Sequence, residues 1–443
     1  MTDHTAHPGS MITAKLSAMM FLQFFLWGAW YVTVGNYMGE HHMGRVVSWA
    51  YTVGPIAAII SPFFLGMVAD RFFATERVLA VMHLLGGAFL FAAPFVVPDS
   101  AESSPWPFIG MLMLHMLCYM PTLGLTNTLA FHNMSNPEKQ FPRVRVWGTI
   151  GWIVAGLVIA LLAAIEVPET ASLAGAELNA ARNALPLFFY LAGASGVLLG
   201  LYSFFLPHTP PPARGKAFSA RDALGLDALS LMKHPSFAVF VLCSLLTCIP
   251  LAAYYAFAPV YANDLGMADV PFKMSFGQMS EIFFMVVMPF FFARFGVKWM
   301  LLVGMLAWVA RYGLFSGAAD GRVMWMAILG IALHGICYDF FFVTGFIYTD
   351  KRAPKSVRGA AQGLLVLVTQ GLGLGLGAQI VGWLKNSNTD AGVTDWRTVW
   401  LIPCLFAAGV AVVFFLFFRD RVTATPEEVG DAPLQAGDTE TAV

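Results

Sequence analysis

Lys273-Met274-Ser275-Phe276-Gly277-Gln278-Met279-Ser280-Glu281-Ile282-Phe283-Phe284-Met285-Val286-Val287-Met288-Pro289-Phe290-Phe291-Phe292-Ala293-Arg294 decides the fold. Between its terminal cations the stretch is almost wholly apolar, over the length of about 20 residues that an α-helix needs to cross a bilayer. A single carboxylate, Glu281, sits in its middle. Charge at that depth is costly in lipid, and residues of this kind face a cavity, a partner or a substrate path. Glu281 is therefore the first functional candidate in the chain.

The same pattern repeats outward from this segment. Of 443 residues, 58% are hydrophobic and only 12% charged, with a mean hydropathy of +0.69. A soluble domain carries about twice that charged fraction, so the chain reads as an all-α, multi-pass membrane protein. Apolar runs of about 20 residues predict twelve spans, near 12–38, 47–69, 77–97, 107–131, 142–165, 185–206, 235–261, 272–294, 298–317, 322–349, 358–384 and 397–418. The spacers are mostly short and leave no room for a soluble domain. The first run is too long for a signal-peptide core and lacks a small-residue cleavage site, so it is kept as a span. The N-terminal dozen residues and the tail after Asp420, rich in Thr, Glu, Gly and Ala, read as disordered ends. Cys118, Cys243, Cys248, Cys337 and Cys404 all lie in apolar runs, where a small soft hydrophobe is the ordinary reading. No disulfide, metal or cofactor is expected. A net charge of −1, without a basic cluster interleaved with aromatics, points away from nucleic acid.

Cytoplasmic loops of membrane proteins carry an excess of Lys and Arg. With the N-terminus placed inside, eighteen of the 25 such residues fall on the cytoplasmic side, six on the other, and Arg311 lies within the membrane. Both termini are thus predicted to be cytoplasmic. The longest basic spacer runs from His208 to His234 and holds Pro210, Pro211, Pro212, Arg214, Lys216, Arg221 and Lys233. It divides the spans six and six, giving an N-terminal bundle over 1–206, a linker over 207–234, a C-terminal bundle over 235–420 and a tail over 421–443. Two pseudo-symmetric six-helix bundles about a central linker are the layout of the major facilitator transporters, whose halves rock around a midplane site. Gly66-Met67-Val68-Ala69-Asp70-Arg71 resembles the signature that major facilitators place between their second and third helices, with Phe73 where a second glycine is usual. Arg294-Phe295-Gly296-Val297-Lys298 is similar to its counterpart in the other half. Asp70 and Arg71 are accordingly candidate gating or structural charges.

Polar residues inside the spans are few. Gln278 and Glu281 lie one turn apart and share a face, and at 1.5 Å rise per residue Glu281 is about 14 Å from the outer end of its helix. That is near the midplane, a depth that suits a proton carrier; the alternative is a hydrogen bond that only fixes packing. On the tenth span His334 and Tyr338 stack four residues apart, while Asp339 is turned about 140° from His334. Arg311 lies about 18 Å in from the cytoplasmic side and Asp339 about 15 Å. Matching depths allow a buried Arg311–Asp339 pair of structural or gating use; a direct proton role for Asp339 is the alternative. On the fifth span, which opens at Pro142, Arg145, Thr149 and Trp152 occupy one stripe. A guanidinium, a hydroxyl and a broad ring in that order can hydrogen-bond and stack on a flat polar ligand, whereas a headgroup or loop contact is the plainer role for Arg145. His83, His115, Gln23, Asn127 and Gln370 are expected to bond between helices. Gly371, Gly373, Gly375 and Gly377 form two pairs four apart that mark close packing. Trp27, Trp30 and Tyr31 read as packing or interface anchors. Neither a His-Glu-x-x-His string nor a paired aspartyl motif appears, which argues against an intramembrane enzyme.

Five stretches carry a family resemblance: Phe21-Leu22-Gln23-Phe24-Phe25-Leu26-Trp27-Gly28, Tyr119-Met120-Pro121-Thr122-Leu123-Gly124-Leu125, Arg145-Val146-Trp147-Gly148-Thr149-Ile150-Gly151, Gln278-Met279-Ser280-Glu281 and Thr394-Asp395-Trp396-Arg397-Thr398-Val399-Trp400-Leu401. Together they resemble the nucleoside:proton symporter family of the major facilitator superfamily, from the first helix to the twelfth. The resemblance implies a monomeric, proton-driven importer of nucleosides in the inner membrane of a bacterium. It also implies a ligand held between the halves by Arg145, Thr149 and Trp152, by Gln278 and Glu281, and by the aromatic-aspartate pair Tyr338-Asp339, with Glu281 favoured over Asp339 for coupling the proton. This chain departs from the family in two places. Leu251 and Tyr254 stand where the family carries two ligand-binding amides on the seventh helix, and His334 aligns with a tyrosine. An unmatched polar ligand group costs about 1–3 kcal/mol, so the implied ligand extends to a modified nucleoside, a purine-restricted spectrum or another small polyhydroxylated solute, with His334 as a replacement donor or acceptor. Import of a sugar and drug/proton antiport are the competing functions.

Overall fold

The computed structural model describes residues 8–64, 70–135, 137–170, 173–211, 225–354 and 357–420. Residues 65–69 of the predicted signature loop, the middle of the linker and the tail after Asp420 lie outside them. Ten helices among the described residues are long and apolar enough to cross a membrane. One of these, Val270–Gly321, runs for 52 residues and breaks at Gly296, where φ is 66° and ψ 177°. That backbone region is open essentially to glycine alone, so the element is two spans, 270–295 and 297–321. With the apolar helix Val47–Phe64, the described residues supply the twelve spans expected.

In chain order they are α1 (Pro8–Tyr31), α2 (Val47–Phe64), α3 (Thr75–Ala92), α4 (Trp106–His132), α5 (Pro137–Glu166), α6 (Leu187–Ser203), α7 (Pro235–Asp264), α8 (270–295), α9 (297–321), α10 (Met324–Arg352), α11 (Arg358–Ser387) and α12 (Trp396–Phe417). Among the first six, α1 packs on α5 and α6, α3 on α4 and α6, and α2 on α4. Small residues set these approaches: a Cβ at Gly87 of α3 would stand 2.7 Å from the Gly193 carbonyl oxygen of α6. In the last six, α7 packs on α11 and α12, and α10 on α8 and α9. The sets meet along α2 with α11 and α5 with α8.

The glycines of α11 serve both contacts. Gly371 and Gly375 face Ile59 and Pro55 of α2, at 2.8 and 3.2 Å from the position of an added Cβ, whereas Gly373 and Gly377 face Cys248 and Ile249 of α7 at 2.7 and 2.8 Å. The two pairs thus lie on opposite sides of one helix, one against each half. Helices α10 and α11 each carry a π-helical stretch, Asp339–Val343 and Leu367–Gly373. Such widened turns re-aim side chains and gather at functional sites.

Most polar contacts between the halves lie at the end of the bundle remote from the linker. Arg182 Nη1 is 3.3 Å from Asp269 Oδ1, and Asn183 Nδ2 donates to Asn263 Oδ1 at 2.9 Å. Asn179 and Asn36 donate to the carbonyls of Met267 and Pro259 at 3.2 and 3.3 Å, and Asn386 to that of Arg45 at 2.8 Å. Deeper in, Gln379 Nε2 donates to Thr52 Oγ1 at 2.7 Å. Together these contacts pin the far end shut.

Candidate functional site

Beneath that seal lies a cavity of about 600 Å³ between the two halves. It extends from the midplane toward the linker end, where Ser61, Arg143, Pro289 and Val343 line it. Arg145, Thr149, Trp152, Gln278, Glu281, His334 and Tyr338 all border this one space.

Helices α1 and α5 build an aromatic wall. The Trp152 indole lies against Gly28, where a Cβ would come within 2.9 Å of its Cγ; only a glycine on α1 admits so large a ring. Trp27 meets Trp152 edge-on with centroids 5.4 Å apart, and Tyr31 reaches across to Tyr255 of α7 at 6.0 Å. Arg145 folds over the Phe24 ring with its Cζ 4.1 Å from the centroid, a cation–π seat that holds the guanidinium at the cavity rim. Trp27, Tyr31, Tyr255 and Gln370 also line the space. Trp27 and Tyr31 thus face the cavity and are not only the packing or interface anchors expected of them; their four-residue spacing on one face of α1 is the signal the sequence holds. Trp30 is fully buried instead.

The opposite wall comes from α8 and α10. Gly335 lets these helices touch at Glu281: a Cβ at Gly335 would lie 2.6 Å from the Glu281 amide nitrogen. Ser280 rivets the crossing, accepting from Gly335 N at 2.9 Å and donating to the Gly277 carbonyl at 2.8 Å. Glu281 Oε2 consequently stands 3.9 Å from His334 Nε2, with the carboxyl side chain 16% exposed and the imidazole 4%. The separation is beyond a direct hydrogen bond.

Behind His334 the site continues as a stack. Its ring lies nearly parallel to Tyr254, 5.2 Å away and inclined by 19°. Tyr254 in turn carries the Arg311 guanidinium, 4.1 Å from its centroid. Arg311 is fully buried and donates from Nε to the Gly330 carbonyl at 3.1 Å. The expected Arg311–Asp339 pair is not formed. Asp339 is fully buried, neither carboxylate oxygen meets a hydrogen-bond partner among the described residues, and the charge that acts on it is that of Glu281. Equal depth did not imply equal azimuth: the π-turn that begins at Asp339 alters the helical phase, and Arg311 turns to the aromatic face.

The remaining candidates fall elsewhere. Arg71 is half-buried in the short helix Asp70–Phe72 at the linker end, and the Asp70 side chain lies outside those described. Leu251 and Tyr254 are buried and do not border the cavity. Gln23 donates to Thr122 Oγ1 at 2.8 Å and His115 Nδ1 meets the Gly86 carbonyl at 3.0 Å, as interhelical bonding predicts. His83 instead packs edge-on against Tyr119.

The family described as "Nucleoside H+ symporter" matches residues 10–423. YegT of Escherichia coli K12 is 40% identical over 438 residues, covering 96% of this chain and 99% of its own. The nucleoside permease NupG of the same organism is 31% identical over 429 residues, covering 93% and 97%. A xanthosine permease, also from that organism, is 31% identical over 426 residues, covering 92% and 96%. A crystal structure of NupG superposes with a TM-score of 0.78 at 29% identity, over 93% of this chain and all of that one.

Proposed function

The chain belongs to the nucleoside H+ symporter family, and from that premise we propose that the midplane cavity binds the nucleoside and that Glu281 couples a proton to its import. The protein is a transporter, not an enzyme. The observation that carries the site assignment is Glu281 itself: a carboxylate on the cavity wall, 3.9 Å from an imidazole, opposite an aromatic wall suited to stacking on a base. In this reading Trp152 and Trp27 take the base, Arg145, Thr149, Gln278 and Tyr338 supply donors and acceptors, and His334 stands in for the amides that the seventh helix lacks.

The solute is a nucleoside of the kind the relatives carry. The membrane is a bacterial inner membrane, with both termini and the linker over 207–234 in the cytoplasm, as the excess of Lys and Arg on that side supports. The bundles over 1–206 and 235–420 are the two rocking bodies. The sealed far end then makes this the cytoplasm-facing state. The single chain is the transport unit, since both walls of the cavity are its own. Each proton moved through 100 mV yields about 2.3 kcal/mol, enough to concentrate a neutral solute about 50-fold.

Uptake of labelled uridine and adenosine into proteoliposomes with an imposed pH gradient tests the reading. Glu281→Gln is expected to abolish gradient-driven accumulation and to retain exchange of labelled for unlabelled nucleoside. Gradient-dependent accumulation by that variant would remove Glu281 from the proton path. Unlabelled sugars and amphipathic drugs, added as competitors, are expected to leave uptake unchanged.

A further inference from the structure

Arg311 is a full positive charge in the bilayer's midst, and no ion pair to it is formed among the described residues. Its Nε is satisfied by Gly330 O, its plane lies on Tyr254, and its two terminal nitrogens reach no acceptor among the described protein groups. An unbalanced buried cation costs several kcal/mol, and it is retained where it acts on charge elsewhere. The groups packed around it are Tyr254 and Tyr255 of α7, Tyr312 of its own helix and Cys337 of α10, all neutral near pH 7. The acids of this half set deep within the spans, away from the helix ends, are Glu281 and Asp339. Only Glu281 borders the cavity, and it is reached through the layered order Arg311, Tyr254, His334, Glu281. The remaining cations at the cavity, Arg143 and Arg145, stand on the other half and move away from Glu281 whenever the halves rock. Arg311 belongs to the same half as Glu281.

We propose that Arg311 is the fixed counter-charge of the proton site, a positioning residue that acts through the Tyr254–His334 stack and sets the proton concentration at which nucleoside uptake is half-maximal. The inference rests on the reading of Glu281 as the coupling group. A positive charge favours the ionised form of a neighbouring carboxylate and the neutral form of an imidazole. The successive steps of the stack, 4.1, 5.2 and 3.9 Å, span about 13 Å, and at an effective dielectric of about 20 a charge at that distance changes a proton equilibrium somewhat under tenfold, roughly eightfold. The charge travels with the site, so the bias persists in every state of the cycle.

The test is the pH profile of uridine uptake into proteoliposomes, together with nucleoside exchange at equal pH on both sides. Arg311→Met and Arg311→Gln are expected to move the midpoint of the profile about one pH unit to the alkaline side, with exchange retained. Arg311→Lys is expected to hold the midpoint near that of the unaltered protein. Adding Glu281→Gln to Arg311→Met is expected to remove gradient-driven uptake and to leave exchange equal to that of Glu281→Gln alone. Neutral variants with an unmoved midpoint and a lower maximal rate would overturn the proposal, as would failure of both neutral variants to fold while Arg311→Lys folds. If Glu281→Gln alone keeps gradient-dependent uptake, it is the assignment of the proton site that fails; if it does not and the Arg311 midpoint stays put, only the present inference fails.

Discussion

Gly335 faces the backbone of Glu281 so closely that a methyl group at Gly335 would stand 2.6 Å from the Glu281 amide nitrogen and 2.5 Å from the Ser280 carbonyl oxygen. The carboxylate is therefore placed by the absence of a side chain on the neighbouring helix. Gly335→Ala is expected to push α10 from α8, to destabilise the protein by about 1–3 kcal/mol as overpacking does, and to reduce uptake more steeply than it reduces stability. Melting temperature and initial uptake rate measured on the same preparation check this; a variant with the usual rate would show that the close approach has no part in transport.

His334 has two attachments, a ring stack on Tyr254 and a polar edge toward Glu281. His334→Phe keeps the first and removes the second. The unmatched ligand group should weaken nucleoside binding by about 1–3 kcal/mol, or roughly five- to 150-fold in Kd, with little change in thermal stability. Isothermal titration with uridine and adenosine checks it, and unchanged affinity for both would take His334 out of the ligand site.

Gly156 of α5 lies against α8 at the sealed end, where a Cβ would be 2.6 Å from Ser275 Oγ and 2.9 Å from the Pro271 carbonyl oxygen. Gly156→Val should wedge the halves apart there and favour the state open at the far side. The expected signs are a tenfold or larger loss of uptake and faster maleimide labelling of a cysteine introduced at Thr33, which borders a small cavity at this seal. Equal labelling rates with and without the valine would contradict it.

Asp395 caps α12 from outside the membrane span, accepting from Thr398 N at 3.1 Å; the Thr398 side chain first, and its backbone N–H second, hold the Asp395 carboxyl below the usual carboxylate range. A group lowered on folding contributes stability above its unfolded value, near pH 4, and loses it as pH falls through the folded one. Asp395→Ala should cost about 1 kcal/mol at pH 7, and the difference should close below about pH 4. Denaturation in detergent at pH 7 and pH 3 measures both ends.

What the residues disclosed before the structure follows from how lipid filters them. In an apolar helix a carboxylate is conspicuous, so Glu281 and Gln278 were legible, as was the stripe of Arg145, Thr149 and Trp152, since four-residue spacing survives folding unchanged. Aromatic rings are ambiguous there: Trp27, Tyr31 and Tyr255 border the cavity, while Trp30 and Tyr254 are buried, and all are equally at home against lipid or protein. The surroundings of Arg311 escape the sequence for a different reason. Depth can be counted along a helix, but rotation cannot once a π-turn intervenes, and a guanidinium accepts an aromatic face as readily as a carboxylate. The division at Gly296 was placed correctly because a basic loop marked it, although the backbone there runs on almost as one helix.

The alternating glycines of α11 bear on how the two halves travel. Where Gly371 and Gly375 meet Ile59 and Pro55, one surface has no teeth, so relative motion along that line meets a smooth track and no interlocked rotamers must unseat. Resistance to rocking is then concentrated in the polar clasps at the far end, such as Asn183 with Asn263, which break one by one. Rocking of the proposed kind would then meet its main resistance at the rim of the far end and little along the α2–α11 seam beside the cavity.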